Sequence, residues 1–163
     1  MRPALTIRPA TANDDDAIWA ILEPTFRAGE TYQIPRDISR AAALAYWRGH
    51  GHSVFVAERG GRVVGTYYLR ANNRDVAEVA NCGYMVAPDC MGGGIARAMC
   101  VHSLDTARAR GFAAMQFNFV IASNERAVRL WQAIGFAIVE TLPGAFFHPT
   151  QGAVDAYVMY RSL

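Results

Sequence analysis

Apolar residues recur along this chain with two periods, and each change of period marks a change of element. Leu5 to Arg8 alternate apolar and polar as a short strand does, and Thr11, Asn13 and Asp14 then offer capping side chains. Ala17, Ile18, Ile21, Leu22 and Phe26 follow at helical spacing, so a helix is expected at about 13–28. A loop through Gly29 and Pro35 separates it from a second helix near 37–48. Residues 53–58 read as a strand, Gly60 and Gly61 turn the chain, and 63–69 return it as a hairpin. A turn at 72–75 leads to a strand at about 77–87, which stops at Pro88. Helices starting near Gly94 and Asn124, closed by Gly111 and Gly135, flank a strand at 114–120. Strands at 136–142 and 153–161 complete the pattern.

About seven strands and four helices result. Hairpins come first and strand–helix–strand units last, so the class is α/β of the α+β type, with a mixed sheet. The 163 residues suit one domain, 1–163, and 52% of them are hydrophobic, enough for a core without cross-links. Charge mainly excludes. A net charge of +2 with no basic run argues against nucleic-acid partners. No segment approaches the roughly 20 apolar residues that span a bilayer, and Met1–Arg8 has no leader pattern. A cytoplasmic protein without membrane contact is therefore expected. Cys82, Cys90 and Cys100 are odd in number and lack CxxC spacing, and His50, His52 and His102 show no ligand spacing. Neither disulfides nor a metal is expected.

Residues 86–97 carry the most informative chemistry. A strand end, the run Gly92-Gly93-Gly94 and a helix start follow one another there. Glycines let backbone N–H groups close on a ligand, and the helix start adds the positive end of its dipole, which suits a pyrophosphate. Ile95-Ala96-Arg97 after Gly94 excludes a Walker A loop, and Arg97 stands where a dinucleotide fingerprint needs its third Gly or Ala. A glycine loop that merely connects two elements is the plain alternative.

These residues resemble the coenzyme A-binding signature Gln/Arg-x-x-Gly-x-Gly/Ala of the GCN5-related N-acetyltransferases (GNATs). Gly94 and Ala96 match its last two defined positions, while Met91 replaces the Gln/Arg. Residues Asn124 to Phe136 are similar to a second family pattern, Asn-x-x-Ala-x-x-Leu-Tyr-x-x-x-Gly-Phe, with Trp131 in place of the Tyr. The resemblance spans about 5–161. It implies a mostly antiparallel sheet splayed between its fourth and fifth strands, with acetyl-CoA as co-substrate in the gap. It assigns Met85, Val86, Met91, Gly92, Gly93, Gly94, Ile95, Ala96, Asn124 and Trp131 to the cofactor. The stretch 117–131 is similar to the branch holding fungal proline-analogue acetyltransferases. That likeness puts Asn81 and Asn118, the catalytic candidates, at the substrate site together with Tyr84; family position adds Thr31 and Tyr32 at the acceptor, and His148 lies between the last two strands, near the expected substrate mouth, with an exposed loop histidine as the plain alternative.

The implied reaction is direct attack of a neutral amine on the thioester, with a small-molecule amine as partner and a homodimer as an admissible assembly. Backbone N–H groups near Met85 and Val86, and the Asn118 amide, are candidate oxyanion donors. Proton removal has no clear owner. Glu78 is the obvious carboxylate, but strict alternation puts it on the face opposite Asn81, and a water relay is the alternative. Trp131 cannot act as a titrating acid; a thiolate leaves without much help. The loops at 31–32 and 146–147 suggest a closed, small pocket. A protein N-terminal acetyltransferase and a non-catalytic acyl-CoA-binding module are the competing readings.

Overall fold

The 53–69 hairpin forms β2 (Ser53–Arg59) and β3 (Arg62–Ala71), and β1 (Leu5–Pro9) pairs with the outer side of β2. The computed structural model describes residues 1–72 and 78–163, so residues 73–75 of the expected turn and Ala77 of the expected strand lie outside the described residues. Helices α1 (Asp15–Ala28) and α2 (Arg40–Trp47) precede the hairpin. After it come β4 (Val79–Val86), α3 (Ile95–Ala109), β5 (Ala114–Ile121), α4 (Glu125–Ala133), β6 (Ala137–His148) and β7 (Gly152–Ser162). The seven strands form one sheet in the order β1-β2-β3-β4-β5-β7-β6.

Alternation along the strands sends side chains to two helical layers. One face packs Phe55, Tyr67, Leu69 and Phe117 against Ile95, Met99 and Leu104 of α3 and Trp131 of α4. The other packs Val54, Val56, Tyr68 and Met85 against Ile18, Leu22 and Phe26 of α1 and Trp47 of α2. Arg8 of β1 ties the start of α1 to the sheet. Its two Nη atoms each donate at 2.9 Å to Asp14, and Nη2 also reaches Glu58 at 3.0 Å.

All pairing is antiparallel except between β4 and β5, which run parallel and pair only through Val79–Ala114 and Ala80–Met115. Beyond that point the strands part. The Asn81 side chain takes the place of the next rung, its Nδ2 donating to the Gln116 carbonyl at 2.9 Å. On its far side β5 loses register with β7 between Phe117 and Val120.

The last hairpin differs from expectation. β6 continues through Pro143-Gly144 to His148, where a loop was expected after 142. As the outermost strand it tolerates a proline without N–H, and its register to β7 slips between Leu142 and Phe146. Gly144 takes φ +60° and donates to Asp155 at 2.9 Å across the slip.

Candidate active site

Where β4 and β5 part, a cleft of about 1170 Å³ opens. One end is the turn from β4 into α3. Pro88 to Cys90 make one 3-10 turn, Met91 is extended, and Gly92 and Gly94 take φ of +84° and +76°. These left-handed angles are what L side chains avoid. The first intrahelical bond of α3 runs from Ala98 N–H to the Gly94 carbonyl, at 3.0 Å. The N–H groups of Ile95, Ala96 and Arg97 therefore lack helical acceptors at the cleft's edge. Met91, Gly92, Gly94, Ile95 and Ala96 line this end, with Arg97, Arg126 and Arg129. Gly93 does not: a Cβ there would face Cys90 O, Arg59 and Arg2, on the turn's other side. The expectation for Gly93 is corrected accordingly.

The middle of the cleft is the unpaired edge of β4. Ala87 N–H donates to Val64 of β3, whereas the Glu78 carbonyl accepts from Ala113 and Ala114 on the β5 side. Alternation from these two anchors points the N–H groups of Cys82, Tyr84 and Val86 into the cleft. The Tyr32 hydroxyl, donating to the Tyr84 carbonyl at 3.3 Å, reports the same parity. The Val86 N–H therefore faces the cleft, while the Met85 N–H faces β3; Met85 still lines the cleft. Gly83 is required here, because a Cβ would lie 2.7 Å from the Tyr68 ring.

Aromatic side chains form the floor. Trp131 is buried, with its ring 5.1 Å from Tyr84 and 5.2 Å from Phe117. The Tyr84 hydroxyl shares a 2.7 Å hydrogen bond with Ser103, and burial raises its pKa well above 10. Tyr84 therefore offers a ring rather than a free hydroxyl. Burial also pushes the Cys82 thiol up to about 12, so it supplies no thiolate near neutral pH. Asn124 caps α4, its side chain accepting from Ala127 N–H at 3.4 Å, and it borders the cleft.

The far end is polar. Thr31, Tyr32, Tyr46, Tyr68, Arg70, Asn81 and Asn118 line it. Arg70 Nε donates to Asn81 Oδ1 at 3.1 Å, and Asn81 is buried with its amide engaged at both ends. Asn81 thus braces the Arg70 guanidinium against β5 while lining the cleft. Asn118 is half-buried: Oδ1 accepts from Gln116 Nε2 at 3.0 Å and Nδ2 donates to Asn72 Oδ1 at 2.6 Å. Among the described residues the second Nδ2 hydrogen has no acceptor, which leaves it for a ligand. Glu30 is the one carboxylate among the described residues of the lining; Glu78 is not part of it.

His148 is a correction. It ends β6, buried, and its Nδ1 lies 3.2 Å from the N–H groups of Thr150 and Gln151, closing the turn to β7 outside the cleft. Phe147 is 78% exposed and Phe146 packs with Ile121 and Ala156, so neither closes the pocket. Two arginines stand out among the cleft residues that escaped the sequence reading. Arg126 reaches from α4 so that its Nη2 is 3.1 Å from where a Gly92 Cβ would stand. Arg70 follows the run Tyr67-Tyr68-Leu69 near the end of β3, a charge visible in the sequence but without a partner there to give it meaning.

The sequence model of the acetyltransferase (GNAT) family matches residues 16–136. The structure of a GCN5-related N-acetyltransferase from Kribbella flavida is 38% identical and superposes with a TM-score of 0.93 over 98% of both chains. The putative acetyltransferase yncA of Salmonella typhimurium, whose structure contains acetyl-CoA, is 22% identical with a TM-score of 0.86, covering 98% of this chain and 94% of that one. A mycothiol acetyltransferase of Streptomyces avermitilis is 28% identical over 141 residues, 84% of this chain and 44% of that protein. The chain spans less than half the length of the curated relatives it matches.

Proposed function

Because the chain belongs to the acetyltransferase (GNAT) family, we propose that it transfers the acetyl group of acetyl-CoA to the amine of a small molecule. The observation that carries this reading is the continuity of the cleft. One wall runs from the glycine turn and α3 N-terminus, past the cleft-facing N–H groups of Cys82, Tyr84 and Val86, to the polar pocket. Gly92, Gly94 and the N–H groups of 95–97 would hold the pyrophosphate, and Arg126 would supply the long polar donor that Met91 does not. Acetyl-CoA would supply a thioester as the electrophile. The N–H groups of Tyr84 or Cys82, with the remaining Asn118 hydrogen, would stabilise the oxyanion. The amine nitrogen forms a bond to the acyl carbon, the C–S bond breaks, the thiolate leaves with the electron pair, and the amine proton passes to water. Direct attack fits a cleft in which the buried Cys82 thiol is un-ionised.

The acceptor reading is narrower: an amino acid, an amino-acid analogue or a related toxin. The likeness of 117–131 to the fungal proline-analogue branch supports it, as does the tyrosine-walled pocket under the 29–39 loop. The exposed Phe147 leaves the β6–β7 side open, which favours a protein N-terminus as second reading. Thiol release measured against amino acids, proline analogues and N-terminal peptides tests both. Preference for peptides would overturn the small-molecule acceptor, and silence across the panel would leave an acyl-CoA-binding module.

A further inference from the structure

We propose that Arg70 determines acceptor specificity by holding a carboxylate that the acceptor carries beside its amine. The inference rests on the acetyl-transfer reading and narrows its acceptor to anionic amines such as α-amino and imino acids.

Among the described residues four arginines line the cleft, and three of them (Arg97, Arg126, Arg129) belong to the glycine-turn end. Arg70 does not. It sits opposite Asn81 in the β3–β4 register, five residues along β4 from Val86. That is roughly 17 Å of extended strand, too far to share a phosphate with the turn. Its position is where the thioester end of the cleft meets the tyrosines of the pocket. One edge of its guanidinium is already fixed, by Nε to Asn81 Oδ1 at 3.1 Å, and Asn81 is fixed in turn on the Gln116 carbonyl. Such a guanidinium is oriented before any ligand arrives, and among the described residues its Nη atoms make no hydrogen bond, which leaves them to form a fork.

Arg70 is half-buried, yet among the described residues no carboxylate lies within ion-pair distance of it. Arg8, Arg48 and Arg62, by contrast, all have one within 3.0 Å. A planar fork with five N–H donors matches a carboxylate better than any neutral acceptor. The charge serves the chemistry as well. Burial raises the pKa of Tyr32 and Tyr68, so both are uncharged near neutral pH, burial lowers the pKa of His52, and Glu30 is exposed on the roof loop. Among the described residues Arg70 is thus the half-buried charge at this end of the cleft, and a fixed positive charge there disfavours the ammonium form of the acceptor. A dedicated carboxylate base becomes less necessary.

The test is thiol release by the whole protein with α-amino acids and with their primary amides, for the native chain, Arg70→Met and Arg70→Lys. The native kcat/KM should favour the acid over its amide by roughly a hundredfold, the scale of a desolvated charge pair. Arg70→Met should cut the acid far more than the amide, bringing their ratio towards one, and Arg70→Lys should restore part of it. Calorimetric acetyl-CoA affinity and thermal midpoint, measured on the same proteins, separate this from a general loss of structure. Amides acetylated as well as acids by the native chain would overturn the inference alone, as would a parallel loss on both in Arg70→Met. No thiol release with any amine would remove the acetyl-transfer reading and this inference together.

Discussion

At the scale of single residues, two positions separate binding from chemistry. A side chain on Gly92 meets both a left-handed φ of +84° and the Arg126 guanidinium, whereas one on Gly94, at φ +76°, meets no protein atom within 4 Å. Gly94→Val should therefore keep the fold, losing about 1–2 kcal/mol to backbone strain, while blocking the pyrophosphate seat. Unchanged calorimetric affinity for acetyl-CoA in the folded variant would remove the turn from the cofactor site. Asn118 is the residue whose role its neighbours leave open, since Gln116 and Asn72 hold it but do not exhaust it. If its free hydrogen meets the oxyanion, Asn118→Ala costs on the order of 3 kcal/mol, about a hundredfold in kcat. Asn118→Asp is equally poor. A purely structural amide instead lowers the melting temperature of both variants and leaves kcat near normal, so kcat and thermal midpoint are measured together.

At the scale of elements, the proton chemistry follows from which helices and loops face the cleft. α4 contributes Trp131, whose indole N–H donates but does not titrate, and the 29–39 loop contributes Tyr32, which burial keeps protonated well above pH 10. A group whose pKa is raised stays an un-ionised donor over the whole working range. The pH–rate profile should thus rise as the acceptor amine deprotonates and then stay level to about pH 10. A descending limb below that would reveal an acid absent from this account. The joint between β1 and α1 titrates at the other extreme. The Arg8 guanidinium holds the Asp14 carboxyl down at about 2, below its ordinary 3.8. Its stabilisation is complete above the unfolded pKa and is lost as pH falls through the folded one. The thermal midpoint should drop between pH 4 and 2 in the native chain, with a smaller drop in Asp14→Asn, which starts lower.

At the scale of the whole molecule, the two-rung contact of β4 with β5 leaves the sheet with an internal edge that a ligand can complete. Amide exchange should register this with a parity. Acetyl-CoA should slow the amides of Cys82, Tyr84 and Val86, which face the gap. Those of Asn81, Gly83 and Met85 face β3 and should change little. Equal protection of both sets would refute the assigned orientation. At a hundred times its Kd a ligand adds about 2.7 kcal/mol, which for a chain of this size raises the melting temperature by roughly 5–10 °C.

Sequence alone was enough for much of this. The periods of two and 3.6, the glycine turn at 92–94 and the capping Asn124 define elements and an anion seat, because each depends on residues within a few positions of one another. Strand parity was legible too, but not its phase. Whether Val86 or Met85 aims its N–H at the cleft depends on which neighbour β3 takes, and no local pattern encodes that. His148 read as a loop residue because Pro143-Gly144 resembles a strand end, and only the place of β6 at the sheet's edge lets the strand continue. Arg70, Asn81, Gln116 and Asn118 lie up to 48 positions apart in the chain. Their chemistry exists only once the sheet has folded and parted, since hydrogen bonds among distant side chains are settled by tertiary contact rather than by spacing.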